Sequence, residues 1–318
     1  MRSITLSSPA KLNLYLKVLN KRPDGYHNIV TLFERIDLCD EITFTLNQDG
    51  KIRIQCNHPQ VPVGPKNLVY RAARLLQDNF KVKEGVNIKI RKRIPVAAGL
   101  AGGSSNAATA LLGLNQLWGL HLSRQQLLKY AAEIGSDVSF FLHGCPWALG
   151  SQRGEKITRI SLKKKLWHVI VVPKVKLYAS EVYGALKLRL TKPNDDVNIL
   201  IHNLKKNDLT TVGHLLWNDL EAPVVKLFPA ILKLKEKLKS LNTQGVMVSG
   251  SGPAVFVLTQ SRQEAQQIQS VLAKRYSQVF VAGTLWGKES GHGDYGNSGI
   301  PEGRTRQKIK GVYDGHFR

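Results

Sequence analysis

The run Pro95-Val96-Ala97-Ala98-Gly99-Leu100-Ala101-Gly102-Gly103-Ser104-Ser105 is built almost without side-chain bulk. Small residues let a backbone approach an anion closely, and the amides at a helix start point their N–H groups at it. Ser104 and Ser105 add hydroxyls where a phosphate oxygen or Mg²⁺ would sit. The run is neither of the commonest phosphate loops: no Gly-Lys-Ser/Thr ends it, and the G-x-G-x-x-G spacing is absent. The plain alternative is a tight turn capped by serine, but so long a stretch of small residues favours a phosphate cradle.

Other groups could do chemistry around such a cradle. Lys11 and Asn13 alternate with Leu12, Leu14 and Leu16 after Pro9, so they stand together on the polar side of a strand, as solubilising groups or lining a cleft. Pro23-Asp24-Gly25 is turn chemistry and ends on Tyr26 and His27, which can stack on and hydrogen-bond a flat heterocycle or can simply pack. Asp137, in Gly135-Ser136-Asp137 ahead of an apolar segment, reads as a helix N-cap or as a general base near the loop.

These residues need elements to carry them. Val86, Ile88 and Ile90 alternate with polar neighbours and predict a strand into the loop, while Asn106 to Leu117 predicts a helix after it. Ile42–Leu46 and Ile52–Gln55, joined by Asn47-Gln48-Asp49-Gly50, read as a hairpin. Asn67 opens a helix whose apolar face is Leu68, Ala72, Leu75 and Leu76, and Ser123 caps one from Arg124 to Ile134. A buried strand over Trp167–Val172 opens the second half. It continues through a short helix bearing Tyr183, helices around Ile199–Leu204, Leu209–Glu221 and Phe228–Leu241, two strands about Gly250-Ser251-Gly252-Pro253, the helix Glu264–Arg275 and the strand Val279–Ala282. The class is α+β, with domains at 1–160 and 161–285 and a glycine-rich tail at 286–318 that has no apolar period.

With 318 residues and 42% hydrophobic content, the chain can bury real cores. Its three cysteines, Cys39, Cys56 and Cys145, have no metal or redox spacing. The first residues lack a signal-peptide pattern and no run is long enough to span a bilayer, which predicts a cytoplasmic protein without a membrane. The net charge of +23 raises nucleic acid as a partner. Lys and Arg are spread along the chain without a nucleic-acid-binding signature, and Lys233–Lys239 recurs as a solvated helix face, so an anionic small-molecule substrate is the economical reading.

Pro9-Ala10-Lys11-Leu12-Asn13-Leu14, the loop Pro95–Ser105 and Gly250-Ser251-Gly252-Pro253 resemble, in order, the signatures of the GHMP kinases. The Pro-Asp-Gly-Tyr-His and Gly-Ser-Asp-Val-Ser-Phe-Phe segments narrow the resemblance to members whose acceptor is a cytidyl diphosphate-linked methylerythritol of the non-mevalonate isoprenoid route. The likeness covers about residues 4–285 and implies a two-domain α+β fold with its active site in the inter-domain cleft. It implies ATP and Mg²⁺ as cofactors, with ATP phosphates on Pro95–Ser105 and Asn67 at the adenine. Lys11 and Asp137 would be catalytic. Asn13, Tyr26, His27, Tyr183, Gly250 and Ser251 would meet the acceptor. No carboxylate ligand for Mg²⁺ stands out, which leaves the phosphates, water and Ser105. The chain departs from the family pattern at Ala97, Ala98 and Ala101, where glycine is richer, at Ser139 in place of proline, and at Ala179 in place of threonine. The alternatives are a mevalonate, homoserine or sugar kinase, against which the Tyr26-His27 pair speaks, or a basic nucleic-acid-binding protein. A monomer or weak homodimer is expected.

Overall fold

A computed structural model describes residues 2–187, 196–241 and 243–286 of the chain. Apart from Trp286, the expected tail lies outside the described residues.

Two long strands, β1 (Ser3–Lys21) and β2 (His27–Asn47), pair antiparallel through the Pro23-Asp24-Gly25 turn and form the spine of the first sheet. After β3 (Ile52–Cys56), the helix α1 (Leu68–Asn79) leads to β4 (Gly85–Arg91), which inserts between β3 and β2. The expected hairpin therefore does not form. A turn bends the chain at Asp49-Gly50, but β3 pairs parallel with β4, Ile54 opposite Ile88, while β4 pairs antiparallel with β2. Val86, Ile88 and Ile90, at most 1% exposed, gain more burial in a central strand than at an edge.

The helix after the loop, α2 (Gly102–Leu117), lies buried against this sheet and begins earlier than its alanine-rich portion suggested. The four small residues 102–105 are its first turn, not loop, because Ala101 turns left-handed (φ 54°) and its carbonyl accepts from the Ser105 amide at 3.0 Å. Helix α3 (Arg124–Ile134) has the expected Ser123 cap, completed by Gln126 into a capping box. A short α4 (Val138–His143) follows, anchored where Phe140 stacks on Phe33 at 4.8 Å. The hairpin of β5 (Trp147–Gln152) and β6 (Lys156–Arg159) extends the sheet along β2.

The second sheet begins at β7 (Trp167–Val171). Then come α5 (Ala179–Gly184), α6 (Asp196–Lys206), α7 (Leu209–Leu215), a two-residue β8 (Trp217–Asn218), α8 (Glu221–Leu227), α9 (Pro229–Lys239), β9 (Gly245–Val248), β10 (Val255–Thr259), α10 (Arg262–Leu272) and β11 (Val279–Gly283). The strand order is β11-β7-β10-β9, antiparallel throughout. The helix expected over Leu209–Glu221 is broken, because β8 crosses to the first sheet and pairs parallel with β1 at Tyr15 and Leu16. Lys235 is also no part of a solvated face: it is buried and paired with Glu221.

Leu12, Leu14, Trp147, Ile170 and Phe256 share one core between the sheets. A polar strut crosses it. Buried Glu34 of β2 accepts from Thr284 at 2.6 Å and lies 2.8 Å from His168 Nε2 of β7.

Candidate active site

The polar side of β1 is not a solvated face. Lys11, Asn13 and Tyr15 are 4%, 1% and 1% exposed, and a register shift between Asn13 and Tyr15 sends the tyrosine into the core. Asn13 donates to Thr31 Oγ1 at 2.7 Å, Thr31 donates to the Tyr15 carbonyl at 2.7 Å, and Lys11 donates to Asn13 Oδ1. This chain of bonds sets the direction of the lysine. Its ammonium lies 3.7 Å from Asp137 and over the Phe33 ring. Burial lowers the pKa of Lys11, and the charge and hydrogen bond of Asp137 oppose that shift.

Asp137 occupies the N-cap position of α4, yet its side chain makes no capping bond and stands instead beside Lys11. The carboxylate is engaged by an ion pair and not by the helix cap.

Lys11 and Asp137 stand in a cavity of about 490 Å³. Asn13, Asn67, Tyr183, Gly250 and Ser251 also line it, with Pro95–Gly99 and Ala101–Ser104. The loop is held from both sides. Gly99 (φ 77°) lies so close to the second half that a Cβ there would meet the Ser249 carbonyl at 2.0 Å. The Ser249 hydroxyl donates to the Gly99 carbonyl at 3.1 Å, and the Ala254 amide to that of Ala98 at 3.2 Å. Thus the Gly250–Pro253 turn is seated on the phosphate-type loop. Ala97 and Ala101, at φ 54°, adopt the left-handed backbone without glycine.

Contrary to expectation, Leu100 and Ser105 do not line the cavity. Leu100 is a core residue, 1% exposed. Ser105 is fully buried and its hydroxyl meets that of Ser8 at 2.8 Å, so it turns away from the cavity; Ser104 offers the hydroxyl there. Asn67 engages both ends of its amide locally, accepting from the Val69 amide and donating to the Pro62 carbonyl.

Tyr26 and His27 do not face the cavity together. Tyr26 is 56% exposed, with the Arg153 guanidinium 5.1 Å from its ring. His27 stacks directly on Tyr183 at 5.1 Å, which leaves no slot for a base between these rings. Burial and Lys21 lower the His27 pKa, favouring the neutral ring, which can both donate and accept. Burial and then Asp137 push the Tyr183 pKa up, so its phenol stays protonated.

The structure also adds residues that motif reading missed. Arg153, in the turn between β5 and β6, lines the cavity and is braced by Glu155 at 3.0 Å. Lys92 lines the loop end and pairs with buried Asp40. Asp40 accepts from the Arg93 and Ile94 amides at 2.7 and 2.9 Å and from Asn106 at 2.8 Å, tying the loop entry to the first turns of α2. Only Arg153 had a local signal, a cation in the polar turn Gln152–Glu155.

Two family models match, GHMP kinases N terminal domain over residues 67–145 and GHMP kinases C terminal over 200–278. A 4-diphosphocytidyl-2-C-methyl-D-erythritol kinase of Exiguobacterium sibiricum is 40% identical over 283 residues, covering 89% of this chain and 98% of that protein. The chain belongs to the 4-diphosphocytidyl-2-C-methyl-D-erythritol kinase family of the GHMP kinases. The Bacillus subtilis member is 42% identical over 274 residues, 86% of this chain and 94% of that one. A crystal structure of a kinase of this family superposes with a TM-score of 0.77 at 31% identity, covering 89% of this chain and all of that one. A homoserine kinase of Cytophaga hutchinsonii, TM-score 0.69 at 19% identity over 90% of this chain and 95% of its own, shares the fold.

Proposed function

We propose that the chain transfers the γ-phosphoryl group of ATP to the 2-hydroxyl of 4-diphosphocytidyl-2-C-methyl-D-erythritol, a step of non-mevalonate isoprenoid precursor synthesis. The observation that carries this reading is the 3.7 Å contact of Lys11 with Asp137 beside the small-residue start of α2. Phosphoryl transfer asks mainly for positioning and for cations around the spread charge. In this reading the amides of Gly102, Gly103 and Ser104, which precede the first hydrogen bond of α2, hold the ATP phosphates. Asp137 takes the proton as the acceptor oxygen bonds to the γ-phosphorus and the bond to the leaving ADP oxygen breaks. The Lys11 ammonium, aimed by Asn13, offsets the charge on the transferring group.

Asp137 is the one carboxylate lining the cavity among the described residues, and it already faces Lys11. That is a poor set for a resident Mg²⁺, which would have to arrive with the nucleotide phosphates. On the acceptor side, Tyr26, His27, Tyr183, Gly250 and Ser251 bind the cytidyl substrate, and Arg153 supplies the cation that its diphosphate needs. The Tyr183–His27 stack must part, or the base must lie on Tyr26. The division at 1–160 and 161–285, a cytoplasmic location, and a monomer or weak homodimer without nucleic acid belong to the same proposal.

A coupled ADP-release assay tests it, with the cytidyl substrate beside mevalonate and homoserine. Turnover with the cytidyl substrate alone is expected. Turnover with another acceptor in its place would reassign the reaction within the fold.

A further inference from the structure

Buried cations near the cavity meet acids of the chain itself: Lys11 meets Asp137, and Lys92 meets Asp40. Arg35 of β2 is different. It is 9% exposed, its Nε is buried without a hydrogen-bond partner, and it forms no ion pair among the described residues.

More positive charge gathers at the same place. The Arg35 amide donates to the Pro146 carbonyl at 2.8 Å, and Arg159 Nη2 donates to the His143 carbonyl at 2.7 Å, so both arginines are fastened to the 143–146 turn that ends α4. Arg35 Nη1 lies 3.9 Å from the point where a Gly144 side chain would begin, and Gly144 is exposed. Arg124, at the start of α3, is close enough with Arg159 to lower the pKa of His143, although burial is the larger cause. Arg124 and Arg159 are exposed at the rim, and neither has an acid partner among the described residues.

Arginines at a helix C-terminus can serve only to hold its carbonyls. That explains Arg159 but not Arg35, whose Nε has no carbonyl to hold. The Nε is left unsatisfied, while the Nη groups are not among the buried unpaired atoms and stay open to an anion from outside. Burial lowers the pKa of Arg35, and the groups that oppose this are the Cys145 and Cys39 thiols, not a carboxylate. An anion at the Nη groups supplies the counter-charge that the chain does not.

We propose that Arg35, Arg124 and Arg159 form a second anion site, on the 143–146 turn, that takes a phosphoryl group. Forked guanidiniums match phosphate oxygens bidentately, and a multiply charged anion suits three cations better than one carboxylate does. The site is separate from the phosphate-type loop: α4 stands between it and Asp137, six residues or about 9 Å of helix. The phosphoryl group has two sources, free inorganic phosphate or a phosphomonoester.

The test uses the full chain saturated with a non-hydrolysable ATP analogue, so that the loop is filled. Tm and the heat of binding are followed against inorganic phosphate, glycerol 3-phosphate, and KCl at equal ionic strength. The KCl arm is needed because a chain of net charge +23 is stabilised by screening alone. Phosphate is expected to raise Tm beyond KCl. The Arg124→Gln/Arg159→Gln variant should weaken phosphate binding by about tenfold or more per guanidinium and leave kcat unchanged. Arg35→Met should abolish the phosphate response while keeping or raising Tm in phosphate-free buffer. A glycerol 3-phosphate response equal to that of phosphate assigns a phosphomonoester, and a response to phosphate alone assigns the free ion. If phosphate does no more than KCl, or stabilises the double variant as well as the parent, the site does not exist.

Discussion

The two ends of the cavity are made of different material. The end proposed for ATP is mostly backbone: Ala97, Gly99 and Ala101 at positive φ, then the first turn of α2, held from behind by Asp40, Asn106 and Ser8. The end proposed for the acceptor is side chain: Tyr183, Arg153, His27 and the exposed Tyr26. A phosphate chain is the same in every turnover, so fixed amides can meet it. A bulky acceptor must enter and leave, so its groups stand near the surface, where aromatic rings can part at small cost. Lys11 and Asp137 sit where the two ends join.

The largest expected effect comes from that junction. Lys11→Ala and Asp137→Ala should each lower kcat by about 10² to 10⁴ while the far-ultraviolet circular dichroism stays unchanged. Because burial lowers the Lys11 pKa from 10.5, the ammonium is lost with rising pH sooner than from a free lysine. Turnover should therefore fall on the alkaline side before pH 10.5, and Lys11→Arg should move that limb upward. Near-normal kcat in both alanine variants would remove them from the mechanism.

Next comes the support of the ATP end. Asp40→Ala leaves Lys92 buried without its partner and two amides without an acceptor, which should cost about 3–5 kcal/mol in urea unfolding. KM for ATP should rise and KM for the acceptor stay. Asp40→Asn, which keeps an oxygen for the amides, should do less. Equal losses of both affinities would show that the two ends are not supported separately.

At the acceptor end, replacing Tyr26 and Tyr183 by alanine should raise KM for the cytidyl substrate by about one to three orders of magnitude, with KM for ATP nearly constant. Loss of ATP affinity with acceptor affinity retained would exchange the two ends.

The smallest effect is expected from Ala97→Gly with Ala101→Gly. Glycine relieves the left-handed strain, about 1–2 kcal/mol per residue, but loosens the unfolded chain by about 0.4–1 kcal/mol. KM for ATP should stay within about twofold of the parent, because alanine already lets the backbone approach. A large change would mean that the methyl groups, and not the amides, shape this end.

Local elements were legible where a local cause exists. Ser123 caps α3 because its hydroxyl needs only the Gln126 amide three residues on, and β9 and β10 flank the glycine turn that their apolar runs bracket. The pairing of the strand after Asp49-Gly50 is not local, because its neighbour is chosen by burial of β4, a later segment. The face of α1 shifted for the same reason: Val69 and Ala73 are buried in place of Leu68 and Leu75. The first turn of α2 is not legible locally because glycine and serine are weak helix formers, and packing against the sheet overrides that preference.

By itself the sequence determined the chemical inventory: a bulk-free run for an anion, a lysine and an asparagine on one side of a strand, an aspartate in a small-residue turn, and aromatic rings on a loop. These follow from residue type and short spacing, over which backbone geometry is regular. Only the tertiary structure decided that Asp137 meets Lys11 instead of capping α4, that Ser105 turns to Ser8, that His27 closes onto Tyr183, and that Arg35 is buried without an acid. Each depends on partners far apart in the chain, whose meeting is set by strand register and helix packing, and no local spacing encodes which charge a fold will leave uncompensated.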